Sequence, residues 1–270
     1  MLHRIKCHGF RWLRYGGNLM ESVLDTCTPR ESIVKGSFNP EVFTAALMPV
    51  IDFYRTGTST IDEIYTNGES FFRDATYPTE GLTSTITSVF RRISGDGSAP
   101  SVYRAETGFG GGKTHMLIGC THIAARGKEL ASVTGDILPA QYLPEPHSVH
   151  IVGVAGDEIP VRKTKGAQIV PYTLWGEIAY QVGGEDLYKE LKEQAEAQEA
   201  PGKAFLDKVL GNKKVLIMLD EMAVYATRID AAQKNGSANL AAFLMSLYGY
   251  AKNHTGIAVI ITLAGSSDAF

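Results

Sequence analysis

Apolar residues fall along this chain in two rhythms. Short apolar runs (Val102-Tyr103 to Ala105, Val149 to Val154, Val215 to Leu219, Ile257 to Leu263) read as strands, and Val149 to Val154, dense in β-branched residues, suits a buried parallel strand. Between them apolar residues recur at helical spacing: Phe43, Ala46, Leu47, Val50; Leu82, Ile86, Val89, Phe90, Ile93; Met116 to Ala125; Tyr172, Trp175, Ile178, Ala179, Val182; Leu240, Phe243, Leu244, Leu247. Pro40 and Pro49 are expected to bracket the first of these helices, and Thr79 to cap the second. The Glu/Lys-rich stretch Asp186 to Leu210 reads as helix with a solvated face, and the Pro-containing stretch Gly127 to His147 as loop. Strands alternating with helices predict an α/β fold, a parallel sheet joined by crossover helices. The break Gly95-Asp96-Gly97-Ser98-Ala99-Pro100 divides a mainly helical lead-in, 20–99, from a core, 100–270.

Composition narrows the class. With 270 residues, 44% of them hydrophobic and 20% charged, the chain can bury a sizeable core. A net charge of -3 gives nucleic-acid binding no electrostatic support, although a local patch would not show in the total. Tyr54, Tyr65, Phe71, Phe72 and Tyr77 beside Arg55 and Arg73 invite comparison with base stacking, yet such clusters more often pack a core. Cys7, Cys27 and Cys120 form no CxxC pair, which fits a reducing, cytoplasmic setting. No apolar run approaches the ~18 residues of a membrane span. Residues 1–19 are basic and broken by Lys6, His8 and Arg11, and read as a basic arm or as sequence upstream of a later start at Met20.

One stretch carries chemistry. Thr107-Gly108-Phe109-Gly110-Gly111-Gly112-Lys113-Thr114-His115 lies between the first strand and a helix, the order required of a phosphate-binding P-loop. Glycines let successive backbone N–H groups turn inward, and the helix adds the positive end of its dipole. Lys113 would reach the β- and γ-phosphates, and Thr114 would hold Mg²⁺ through its hydroxyl. Thr107 stands where the strict pattern has glycine. Alone, the stretch could be a glycine-rich turn before an ordinary helix. A second motif decides: Val215 to Leu219 runs into Asp220-Glu221, delivering two carboxylates to the carboxyl edge of the sheet, where α/β proteins bind ligands. Asp220 would hold Mg²⁺ and Glu221 would orient and deprotonate an attacking water, with Lys113 as its catalytic companion. Thr262, Ser266 and Ser267 are candidates for a polar residue near the γ-phosphate, with Ser266 and Ser267 ranked first. Asn212-Lys213-Lys214-Val215 lacks the Asp that would read guanine.

Phe109 to His115, Thr76-Tyr77-Pro78-Thr79, Tyr172-Thr173-Leu174-Trp175-Gly176-Glu177, Leu219-Asp220-Glu221 and Leu263-Ala264-Gly265-Ser266-Ser267-Asp268 together resemble a family of large prokaryotic AAA-type ATPases. Its members carry a domain of unknown function and are often encoded beside DNA methyltransferases in restriction-like or anti-phage clusters. The resemblance implies ATP and Mg²⁺ as ligands. It also implies an N-terminal fragment whose sheet is incomplete at the C-terminus and whose further domains lie elsewhere. Partners would be those domains, a second copy of the chain, or DNA-modification and defence proteins, with no membrane. Arg91, Arg92 and Arg228 are candidates for a trans-acting arginine. Three functions compete: an ATPase motor or switch, a nucleotide-binding scaffold without hydrolysis, and a DNA translocase, which would need a basic track.

Overall fold

The computed structural model describes residues 34–35, 45–107, 112–166 and 168–264. Its four strands are β1 (Val102–Thr107), β2 (His150–Ala155), β3 (Val215–Asp220) and β4 (Ile257–Ala264). They form one fully parallel sheet in the order β1-β4-β3-β2, so β4 separates the glycine-loop strand from the Asp-Glu strand. The longer helices are α1 (Leu47–Thr56), α2 (Glu80–Ile93), α3 (Lys113–Arg126), α4 (Leu174–Glu190), α5 (Lys203–Leu210), α6 (Met222–Ala232) and α7 (Gly236–Asn253).

Residue parity explains the layering. Successive strand side chains point to opposite faces. Val215, Ile217 and Leu219 of β3, with Val259 and Ile261 of β4, pack in a core with α4 to α7. Leu216 and Met218, with Ala258 and Ile260, pack in a second core with α1, α2 and α3. Every residue of β3 is buried, which is why the strand reads as a continuous apolar run. The helices of the lead-in cover one whole face of the sheet together with α3.

Local chemistry sets the ends of these elements, and in places departs from the expected pattern. Thr79 caps α2 by accepting from the Leu82 N–H, as expected. Helix α1 begins at Leu47, so Pro49 sits in its first turn rather than closing it; there the absent proline N–H breaks no hydrogen bond. The charged stretch 186–210 is not one helix: α4 ends at Glu190, a single turn follows at Lys192–Ala195, and Pro201 precedes α5. The stretch 127–147 holds short helical turns at Gly127–Leu130, Ala131–Thr134 and Ala140–Tyr142. The aromatic stretch forms helical turns at Glu63–Thr66 and Gly68–Ser70 and a π-helical turn at Phe71–Ala75. It buries Tyr65, Phe71 and Phe72 in the core beneath α3 and leaves Tyr77 exposed, so these rings offer no stacking platform.

Arg92 is a further correction. It is only 3% exposed and donates to the carbonyls of Ala251 at 2.6 Å, Lys252 at 3.0 Å and His254 at 3.2 Å, joining the end of α2 to the end of α7. A guanidinium so enclosed holds the fold together and is not presented to a neighbour. Arg91 is paired with Asp96 at 2.5 Å.

Candidate functional site

The site lies where the carboxyl ends of β3 and β4 meet the amino end of α3. Asp220 and Thr262 share the parity of Leu216, Met218, Ala258 and Ile260, which places them on the α3 side of the sheet. Gly112, exposed and in the left-handed region at φ 78°, turns the chain into α3, so that Lys113, Thr114 and His115 occupy its first turn. The Thr114 hydroxyl donates to Asp220 Oδ2 at 3.3 Å across 106 residues of sequence. The Thr262 hydroxyl donates to Asp220 Oδ1 and accepts from the Glu221 N–H at 3.1 Å.

Asp220 is 7% exposed, and Glu221, one residue on, is exposed. Glu221 caps α6 in the left-handed region, with φ 52° and ψ 39°, a conformation that side chains other than glycine adopt only when their surroundings fix it. Its carboxyl is raised above the ordinary carboxylate range by partial desolvation first, then by the charges of Asp157 and Asp220, while the Lys113 ammonium pulls it back down. A carboxyl so tuned, beside a cation and at the mouth of the sheet, is suited to accepting a proton.

His115 takes no such exposed role. Its ring stacks on Phe71 with centroids 4.4 Å apart, and Nε2 lies 2.9 Å from the Thr76 hydroxyl. That hydroxyl already donates to the Phe71 carbonyl at 2.9 Å, so His115 Nε2–H is the donor to Thr76. Burial pushes the His115 pKa down to about 4, which favours the neutral ring. The ring ties the start of α3 to the π-helical turn and faces the core.

Lys113, Thr114, Asp220 and Glu221 thus lie together at one edge of the sheet. Thr107 is the last residue of β1. Gly108, Phe109, Gly110, Gly111, Ser266 and Ser267 lie outside the described residues. Thr262, ranked below the two serines, is the described residue of β4 that meets both acids. Its signal was the register: Leu219 pairs with Ile261, so the next residues, Asp220 and Thr262, fall side by side. Helix α6 and the turn Gly156-Asp157 after β2 carried no expectation, yet both line the acids. Among the described residues no cluster of three or more His, Cys, Asp or Glu could hold a metal by itself.

Fold and site define a parallel α/β protein with an acidic pair at the carboxyl edge of its sheet, facing a Lys-Thr helix start. A model of the DUF499 N-terminal domain matches residues 30–268, and the chain belongs to that family. No curated protein and no solved structure gives a match. No helix of the described residues is long and apolar enough to cross a membrane.

Proposed function

We propose that the chain is a P-loop module of AAA type that binds Mg-ATP and hydrolyses it, acting as a motor or switch within a larger protein. The observation that carries this reading is the 3.3 Å hydrogen bond from Thr114 to Asp220, which joins the Lys-Thr of the glycine loop to the acid of the Asp-Glu strand. The loop's Lys-Thr opens a helix directly after β1, and β4 is inserted between the two motif strands. Lys113 holds the phosphates by charge. The Thr114 hydroxyl and the Asp220 carboxylate would hold Mg²⁺, since both are hard oxygen donors of the kind that ion takes. Magnesium, when bound, supplies charge neutralisation across the β- and γ-phosphates. Glu221 orients the water and takes its proton. A role in anti-phage or DNA-associated defence, with DNA-modification proteins, further domains or a second copy as partners, rests on the sequence resemblance alone.

Titration of a fluorescent ATP analogue with Mg²⁺, followed by phosphate release, tests the reading. Binding lost in Lys113→Ala, and turnover lost in Glu221→Gln with binding kept, are expected. An intact, folded chain that binds no nucleotide overturns the proposal. Binding with turnover at background, unchanged in Glu221→Gln, would make the chain a nucleotide-dependent scaffold instead.

A further inference from the structure

Glu221 is held in the left-handed region, and such a conformation persists only where its surroundings over-determine it. Two sides of the cage come from β4 and α6: the Thr262 hydroxyl accepts from the Glu221 N–H, and the N–H groups of Val224 and Tyr225 in the first turn of α6 donate to the Glu221 carbonyl at 3.0 Å and 3.3 Å. The third side comes from the turn after β2. The Gly156 N–H donates to the Asp220 carbonyl at 2.9 Å, and the Gly156 backbone lies so close that an added Cβ would fall 2.3 Å from the Glu221 carbonyl oxygen. What holds Gly156 in place is Arg228. Its Nη1 donates to the Gly156 carbonyl at 2.6 Å.

Arg228 lies seven positions beyond Glu221, two turns along α6, and so sits on the same side of that helix as the residue capping it. The contacts close a ring: Asp220 to Gly156, Gly156 to Arg228, Arg228 through α6 back to Glu221. Arg228 is half-buried, and its ion pair with any acid is absent among the described residues, although the exposed Asp157 and Glu158 follow Gly156 directly. Its charge is directed instead at one backbone carbonyl, a stronger and more directional bond than a neutral donor would make.

We infer that Arg228 is a positioning residue for Glu221: by clamping the Gly156 carbonyl it fixes the turn that wedges Glu221 into its left-handed conformation and so aims the carboxylate at the water. The inference rests on the ATPase reading above, with Glu221 as the base. It assigns Arg228 a role within its own chain, in place of that of an arginine presented to a neighbouring subunit.

The test compares Arg228→Met, which keeps an unbranched stem without a donor, with Arg228→Lys, which keeps a cationic donor. Nucleotide affinity, kcat and KM are measured for both, alongside the wild-type chain and Glu221→Gln. Misaiming a base that leaves the phosphate contacts intact should lower kcat about tenfold or more in Arg228→Met, with nucleotide affinity and KM within about twofold of wild type. Arg228→Lys should recover most of the loss. Gly156→Ala, which presses on the Glu221 carbonyl from the other side, should repeat the kcat defect and decides the matter should Arg228→Met fail to fold. A wild-type chain that turns over, with Glu221→Gln inactive and Arg228→Met or Gly156→Ala at full kcat, overturns the positioning role and leaves the ATPase reading standing. Loss of affinity in step with kcat overturns it too, since the whole site has then collapsed. A wild-type chain without turnover removes the reading and this inference with it.

Discussion

The Thr262 hydroxyl lies between the two acids of the site, giving its proton to Asp220 Oδ1 and receiving the Glu221 N–H. Both partners are drawn into one cluster at the end of two adjacent parallel strands, and Thr262 is only 1% exposed. A buried donor or acceptor stripped of its partner loses its hydrogen bond without regaining water. Thr262→Val, which keeps the shape and removes the oxygen, should therefore destabilise the chain by about 1–3 kcal/mol, while Thr262→Ser should recover most of it. Urea denaturation read by fluorescence measures both. Equal stability of Thr262→Val and wild type would mean that the hydroxyl contributes nothing to holding the acids.

A second prediction concerns pH. The His122 ring, on α3, is buried against α1 and the aromatic turn, with Nδ1 2.7 Å from the Tyr54 hydroxyl and centroids 5.0 Å from Phe71. Burial, and then the charge of Arg126, push its pKa down to about 3 from the ordinary value of 6.5. Between those values the unfolded chain binds the proton and the folded chain does not, so stability falls as pH is lowered. The expected slope is about 1.4 kcal/mol per pH unit for this one group. In His122→Phe the fall in stability from pH 6 to pH 4 should be shallower by about that slope, although His115, also depressed, keeps part of it. Superimposable pH profiles for the two chains would refute the assignment.

These features were unequally legible in the sequence. The strands announced themselves because both faces of a parallel sheet are covered, and β3 carries no polar residue until Asp220. The Lys-Thr and Asp-Glu pairs stood out because each needs fixed neighbours. Helix α6 escaped notice because its N-cap is Glu221 rather than Ser, Thr, Asp or Asn; its entry depends on a left-handed glutamate, which sequence does not display. Thr262 was outranked by Ser266 and Ser267 because strand register, and not local composition, brings it to Asp220. Arg92 read as a candidate trans-acting arginine because its carbonyl partners at Ala251, Lys252 and His254 lie about 160 positions away, a separation of 162 in the farthest case.

Arg92 provides the third prediction. Its guanidinium donates to three carbonyls at the end of α7, of which that of Ala251 also takes the capping His254 N–H at 3.4 Å, and it reaches those of Ala99 and Ile257 at 3.4 Å. Removing it strands several buried acceptors at once. Arg92→Met, which preserves the stem, should cost about 3 kcal/mol or more, because hydrogen bonds to a charged group are worth about 1.5–3 kcal/mol each. Nucleotide affinity per folded molecule should be unchanged, since Arg92 touches none of Lys113, Thr114, Asp220 or Glu221. A stable Arg92→Met chain with impaired nucleotide binding would reverse this assignment and return Arg92 to the functional candidates.

The last prediction concerns the outer edge of the sheet. β2 is an edge strand, and unpaired backbone groups there invite pairing with another chain. At Gly153 the chain covers them with a side chain: the N–H donates to Gln181 Oε1 at 2.9 Å, and Gln181 Nε2 donates to the carbonyl at 2.7 Å. The amide of Gln181 stands in for a neighbouring strand. Its other Nε2 hydrogen goes to Glu177 at 2.6 Å, and burial raises the Glu177 carboxyl above its usual range. Gln181→Leu fills the same space without either hydrogen bond. The Gly153 amide should then lose its protection in hydrogen exchange at least about tenfold, with a stability loss of about 1–3 kcal/mol. Amides of β3 at the centre of the sheet should keep theirs, apart from the uniform change that global destabilisation brings. Equal loss across all four strands would show that Gln181 supports the fold generally and does not act as the cover of this edge.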